Sequence, residues 1–453
     1  MRNILESKFL IVLVALGISV SLFLGVLSEK IFKTSIDDWG NDAYSYNATA
    51  LSLVRHQTIH DSSTFFYGPF QRPPGYAIFL AVVYGIFGEY PVAVFVSQIL
   101  IWILTLILIF EIAKRFFDFP FSTIPPLMTA VYWGVATYVI DINSDVFALF
   151  LNTALIWSFF KWRDKSNSYF AVLQGILFAF LVLTKPIVLY AIPFYIVAMF
   201  IIKKRINKKL IIDILVVLII ALLPIGAWAQ YNHKIVGNYG LASGALTLMR
   251  RADDVNFSKG RINSFVIASF FGDYVADYFY PGYANDPEPY TKESIEREKR
   301  YYQNQKQDKS NEGQLQAQYY AEAKNLIMSH PVKFVMLGSI YLQRLNSPVN
   351  LEGVELIHTF VVKDGSFSII KFLILIGIHL VWLIFIFVVV FGVILAIRMD
   401  WKKWFLILFF ILYFNGTYAL LTHAEARYII PVIPFYFFLV VVCWQRFRAY
   451  LSK

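Results

Sequence analysis

Nine charged residues stand at the outer ends of apolar runs or in the first outer loop: Asp37, Asp38, Asp42, Arg72, Asp141, Asp145, Lys185, Glu425 and Arg427. A placed carboxylate takes the proton from a hydroxyl or amine. A guanidinium grips phosphate through a bidentate fork, and an ammonium attracts it as a point charge. Charges at such places are costly and tend to mark function. The stretch GPFQRPPGYAIFLA, Gly68 to Ala81, is the sharpest case. Pro73 and Pro74 fix the chain and start the apolar helix that follows. Arg72 is thereby held at the level of lipid headgroups. It reads either as a ligand for a lipid-borne phosphate or as an interfacial anchor whose head snorkels to water.

The elements that position these residues follow from composition. Of 453 residues, 58% are hydrophobic and 15% charged. Mean hydropathy is +0.59. The expected fold is an all-α integral membrane protein. Apolar runs fall at 8–27 and near 91–112, 122–140, 146–160, 169–184, 187–202, 210–229, 367–397, 404–421 and 429–444. They predict about ten helical spans, each near the ~20 residues that hydrocarbon thickness demands. The first has a basic start but no small-residue cleavage site, so it is expected to remain as a span.

The formal net charge of +10 belongs to topology. Lys and Arg concentrate in the short turns AKRFF, KWRDK, KKRINKK and RMDWKK and in the tail QRFRAYLSK. Such an excess marks the cytoplasmic side, which places both termini there and leaves no reason to expect a nucleic-acid partner. Cys443, the single cysteine, allows no intrachain disulfide or cysteine metal site. The seven histidines include no HExxH zinc motif. No cofactor is called for; a divalent metal on scattered carboxylates stays open.

Two segments on the opposite, outer side are too long for connectors. The expected organisation is a membrane module over 1–229 with a first outer loop at 28–90, an outer cap over 230–366 and C-terminal helices over 367–453. In the first loop, 41–55 predicts an interfacial helix with Tyr44, Ala48 and Leu51 on one face. Residues 75–87 predict a second, too short to span. In the cap, a charged, tyrosine-rich stretch over 290–330 reads as a solvated helical hairpin. Residues 331–345 read as a juxtamembrane helix. No internal repeat is visible.

Five stretches in order carry a resemblance: GNDAYSYNATALSLVRHQT, RPPGYAIFLAVVYGIFG, GILFAFLVLTKP, LLPIGAWAQYN and HAEARYIIPVIPF. Together they resemble the polytopic GT-C glycosyltransferases, of the kind that includes protein O-mannosyltransferases and lipid A aminoarabinose transferases. The resemblance runs from Asp42 to Pro434 but omits the long outer loop. It implies sugar transfer from a polyprenyl-phosphate donor on the non-cytoplasmic face, to a glycan, lipid or protein acceptor, with an acidic residue of the first outer loop as general base.

Asp42 lines up with that acid, just before the family's tyrosine, here Tyr44. Some relatives carry two acids where this chain has Asn41–Asp42, which brings Asp37 and Asp38 into contention. Asp42 also suits a helix N-cap. Because polyprenyl phosphate is already a good leaving group, one base plus cations should suffice, unlike the carboxylate pair of a glycosidase. Single displacement would invert the anomeric carbon. Arg72, Lys185 and Arg427 are the candidate cations for the donor phosphate. Asp145 either orients a cation or acceptor hydroxyl, or caps a span. Glu425 either pairs with Arg427 or joins the site, and Tyr44 is a further acceptor-side candidate. A transporter or flippase is the alternative; it predicts repeats and mid-bilayer polar sites. A polymerase or ligase would place its basic groups in the large outer loop, whose charge here is mixed.

Overall fold

The computed structural model describes residues 2–27, 41–59, 72–203, 206–242, 244–283, 295–297, 299–300, 303, 312–348, 369–422 and 425–452. Among them the chain is helical, with no strand. Apolar runs and prolines set the helices. They are α1 (Arg2–Leu27), α2 (Asn41–His56), α3 (Gly75–Phe87), α4 (Pro91–Ala113), α5 (Ile124–Val131), α6 (Trp133–Ala136), α7 (Ser144–Lys165), α8 (Ser168–Thr184), α9 (Ile192–Ile202) and α10 (Lys208–Val236). There follow α11 (Ala245–Asp253), α12 (Lys259–Phe271), α13 (Asp273–Phe279), α14 (Glu312–Ser329), α15 (Pro331–Leu345), α16 (Ile369–Leu421) and α17 (Ile433–Leu451).

Helices cover the described part of every expected run, but the count of spans differs. Five helices are long and apolar enough to cross a membrane: Ile4–Leu27, Pro91–Ala113, Lys208–Ile235, Phe372–Leu421 and Ala426–Leu451. A sixth span arises if Phe121–Val131 and Trp133–Ile140, bent by 57°, act together. The ten expected runs are not all matched by helices of that length and apolarity among the described residues. Ser168–Thr184 and Pro186–Ile202 are apolar but short. Helix α7 carries charge in its first and last turns. The runs 367–397 and 404–421 are two helices within Ile369–Leu421, separated at Asp400, whose backbone is non-helical (φ −165°, ψ 83°).

The chain divides into two compact units. Unit 1 comprises Met1–Trp228, Val388–Ile411 and Ile430–Lys453. Within it α7 is the axial helix, buried along nearly its whole length, with α4 and α8 packed on it. Helix α1 lies on α4 and α5, and α17 on α5. Close approach is taken literally at Gly392, where an added Cβ would stand 2.7 Å from the Leu439 carbonyl oxygen. The bidentate Arg55–Glu89 pair ties the end of α2 to the α3–α4 turn, and that hydrogen bonding holds the Glu89 carboxyl below its ordinary range.

Helix α2 departs from its expected pattern. Tyr44 is exposed, while Ser45, Tyr46, Asn47, Thr49 and Ser52 are buried. These small polar groups find partners inside: Thr49 donates to the Ser45 carbonyl, Tyr84 to Asn47, and Ser52 to the Thr58 carbonyl. A satisfied polar face can be buried as readily as an apolar one.

Unit 2 comprises Ala229–Phe387 and Leu412–Ile429. Helices α11 and α14 share a core of Ala245, Leu246, Met249, Ala252, Tyr319 and Ala323. Thus the C-terminal part of the charged stretch is a helix with one buried face. Much of the rest of the expected hairpin lies outside the described residues. Residues 331–345 form α15 as expected. A fully buried Arg251 joins three segments: it pairs with Asp254 at 3.2 Å, donates to the Phe334 and Ala419 carbonyls, and lies 4.4 Å from the rings of Phe334 and Tyr341. Arg344 forms a fork with Asp273 at 2.9 and 3.2 Å.

Removing one member of a buried pair leaves an uncompensated charge, at a cost of about 3–5 kcal/mol. Arg251→Met should therefore lower the melting temperature of the purified protein sharply. Arg251→Met with Asp254→Asn should recover much of the loss. Equal melting of the single and double variants would show that the charge itself is unimportant there.

Candidate functional site

The expected site residues of unit 1 converge through a chain of contacts. Asp42 lies in the first turn of α2, where the helix dipole favours an anion. Arg72 directly precedes the Pro73–Pro74 start of α3. The two side chains form an ion pair, with 31% of Arg72 and 25% of Asp42 exposed. The guanidinium also sits 5.4 Å from the Tyr46 ring centroid, one helical turn beyond Asp42. Tyr46 is buried and donates its hydroxyl to Ser144 Oγ at 3.1 Å. Ser144 begins α7, and the next residue is Asp145.

Asp145 is 1% exposed, and Lys185 Nζ reaches its Oδ1 at 2.6 Å. Its Oδ2 is buried with no hydrogen-bond partner among the described residues. Lys185 follows the last residue of α8, and its own side chain is largely buried. Helix α3 closes the ring. A Cβ on Gly75 would stand 2.5 Å from Thr184 Oγ1 and 2.6 Å from the Leu183 carbonyl oxygen. No larger residue fits there, so the start of α3 rests on the end of α8. Two acid–base pairs are thus held by helix ends that touch.

A buried amide positions the floor. Gln98, in the middle of α4, accepts from the Tyr76 hydroxyl at 2.9 Å. It donates to the carbonyls of Val139 and Asp141 at 3.1 and 2.7 Å. This fixes the turn that leads into α7. Tyr76 meets Tyr46 edge-on at 5.0 Å, which places it beneath the Arg72 contact.

Of the other expected residues, Asp141 is buried and offers its carbonyl to Gln98. Tyr44 is exposed. Glu425 and Arg427 pair with each other in unit 2, with Arg427 over Tyr428. Asp37 and Asp38 lie outside the described residues. Among the described residues no three His, Cys, Asp or Glu side chains gather as a metal site would require. Sequence reading missed Tyr46, Tyr76, Ser144 and Gln98. The i, i+4 spacing of Asp42 and Tyr46 on one helix face was an available signal for the first. For Gln98 it was a lone amide in an apolar run.

Residues 71–228 match the family model for dolichyl-phosphate-mannose-protein mannosyltransferases. The resemblance to GT-C glycosyltransferases is borne out over this stretch. It begins one residue before Arg72 and takes in Asp145 and Lys185. Among curated proteins no sequence match is found. Solved structures of the Archaeoglobus fulgidus oligosaccharyltransferase are similar over 96% of this chain. The apo form gives 11% identity and a TM-score of 0.49 over 51% of its own length. The form tethered to an acceptor peptide containing the NVT sequon gives 11%, 0.48 and 50%. The AglB complex with an inhibitory peptide and a dolichol-phosphate gives 12%, 0.48 and 51%. The chain spans about half the length of these proteins.

The two ion pairs differ in burial, and that decides their strengths. The Asp42–Arg72 pair is partly solvated, so either partner should be removable at about 0–1 kcal/mol. Lys185→Met instead strands the buried Asp145 carboxylate, at about 3–5 kcal/mol. Thermal unfolding of Arg72→Met and Lys185→Met should therefore show a small and a large fall. A larger fall for Arg72→Met would reverse this ranking.

Proposed function

We propose that the chain is a membrane glycosyltransferase that moves a sugar from a polyprenyl-phosphate donor to an acceptor on the outer face. The family match over 71–228 supports the reaction class and the lipid-phosphate donor. The pairing of Asp42 with Arg72, beside Asp145–Lys185, is the observation that carries the site assignment.

The exposed pair is the one suited to work on substrate. Its weak mutual attraction lets the monoanionic phosphodiester of the donor compete for Arg72. The fork of the guanidinium then holds the donor phosphate. Asp42, one ion-pair length away, is left to accept a hydrogen bond from an acceptor hydroxyl or amine. As that atom attacks the anomeric carbon, its proton passes to Asp42. The bond between the anomeric carbon and the phosphate oxygen breaks, and polyprenyl phosphate leaves with the electron pair. The anomeric carbon is inverted in one displacement. Lys185 remains bound to Asp145 and contributes positive potential beneath the phosphate. The unpartnered Oδ2 of Asp145 suits orientation of a substrate hydroxyl. The acceptor is a glycan, lipid or protein, selected by the segment 230–366.

Asp42→Asn should reduce transfer by about 10²–10⁴-fold with little change in melting, because only the proton acceptor is lost. Arg72→Lys keeps charge but loses the fork, so donor affinity should fall. Defined radiolabelled prenyl-phospho-sugars, with release of polyprenyl phosphate as the readout, check both. Wild-type turnover by Asp42→Asn removes the base assignment, and a flippase would release no polyprenyl phosphate at all. Orientation is read separately. With Cys443 replaced, an impermeant thiol reagent added outside should label Asp42→Cys and spare Asn207→Cys; the reverse pattern inverts the topology.

A further inference from the structure

The end of unit 1 opposite the candidate site carries a second, unassigned cluster of charge. Asp145 and Arg163 stand eighteen positions apart on α7, which is about 27 Å of helix, close to the hydrocarbon thickness. Arg163 lies 5.1 Å from the centroid of the Phe160 ring, and Arg115, just beyond α4, lies 5.4 Å from the same ring. Phe160 meets Phe116 edge-on at 5.6 Å, and Lys403 Nζ stands 5.1 Å over Phe116. Lys203 stands 4.8 Å over Trp162 and is held by the Arg163 carbonyl and Ser166 Oγ. The ends of α4, α7 and α9 and the break in α16 thus hold four cations over the rings of Phe116, Phe160 and Trp162.

The acids present do not neutralise them. Asp164 is shared by Arg115 and Arg163. Asp213 is occupied by Trp162, Ser168 and Lys209. Asp118 and Asp400 reach Lys403 only through space. Among the described residues neither Lys203 nor Lys403 forms an ion pair with a carboxylate; Asp213 and Asp164 attract Lys203 only through space, and Arg163 repels both lysines. Charges that serve topology alone need only face water. These are half-buried and held over rings, so their conformational freedom is already spent. An anion entering between them would meet a preorganised field. Beside them Trp401, Ile394 and Ile397 of α16 are exposed and apolar, a surface suited to acyl chains and the interfacial belt.

We propose that this end of unit 1 binds the phosphate of an anionic phospholipid, with Lys203 and Lys403 meeting the headgroup and Arg115 and Arg163 supplying the fixed field behind them. A bilayer-facing basic pocket between helices is a recognised arrangement for such headgroups. The site is separate from the proposed sugar-transfer machinery and does not depend on it.

The test is a melting-shift titration of purified protein in neutral detergent with short-chain phosphatidylglycerol, phosphatidylcholine and inorganic phosphate in parallel. Phosphatidylglycerol should raise the melting temperature, and the other two should not. In Lys203→Gln with Lys403→Gln the titration midpoint should rise roughly 25-fold, about fivefold for each lysine. Lys234→Gln, an exposed lysine outside the cluster, should titrate as wild type. The double variant should lose little of its unliganded melting temperature, since it gives up two hydrogen bonds and two ring contacts but no ion pair. An unchanged midpoint in the double variant overturns the proposal. So does an equal shift with phosphatidylcholine, or with inorganic phosphate, which would make the site one for free anions.

Discussion

A carboxylate buried to 1% exposure in an apolar bundle needs a cation at contact distance, and Asp145 has Lys185 at 2.6 Å. This requirement organises the upper part of unit 1. Helix α8 must end where its terminal lysine reaches the first turn of α7. Pro186 follows at once and stops the helix there. With α8 ended, Thr184 and Leu183 expose the surface on which α3 begins, and only a glycine at position 75 allows the approach. Arg72 is then fixed by the two prolines, and Asp42 is reached from the neighbouring helix. The solvated pair stands where it does because the buried pair stands beneath it.

The division between the two pairs follows from dielectric surroundings. Buried ions attract strongly but have lost their hydration, so such pairs are costly to separate. Partly solvated ions attract weakly and exchange partners. A site that must admit and release a phosphate is better served by the second kind on its surface and the first kind below. Tyr46 links the two levels: its ring supports Arg72 and its hydroxyl reaches Ser144, the residue before Asp145.

Much of this was legible in the sequence because it depends on local chemistry. The proline pair and apolar run located α3 to the residue, and Asp42, Arg72, Asp145 and Lys185 stood out as charges beside apolar runs. The remainder depends on partners distant in the chain. Periodicity chose the Tyr44 face of α2 for burial, but Asn47 and Tyr46 are buried because Tyr84 and Ser144 satisfy them. Nothing near position 46 announces a partner 98 residues away. Where one helix stops and the next begins was also hard to read from hydropathy alone: the break between the runs 367–397 and 404–421 falls at Asp400, whose backbone is non-helical.

The same rule of charge and burial recurs away from the candidate site, which separates architecture from chemistry. Asp213 sits buried with Trp162, Ser168 and Lys209 around it, and both its oxygens accept hydrogen bonds. Arg251 in unit 2 is equally buried, and its guanidinium is met by a carboxylate, two carbonyls and two rings. These groups are fully answered by the protein and have nothing to offer a ligand. Asp145 differs in one atom: Oδ1 is answered by Lys185, and Oδ2 is buried without a protein donor among the described residues. A buried acceptor left open costs about 1–3 kcal/mol unless a donor arrives. Burial alone does not distinguish Asp145 from Asp213; the unanswered oxygen does, and it lies one residue from the serine that Tyr46 holds beneath Arg72.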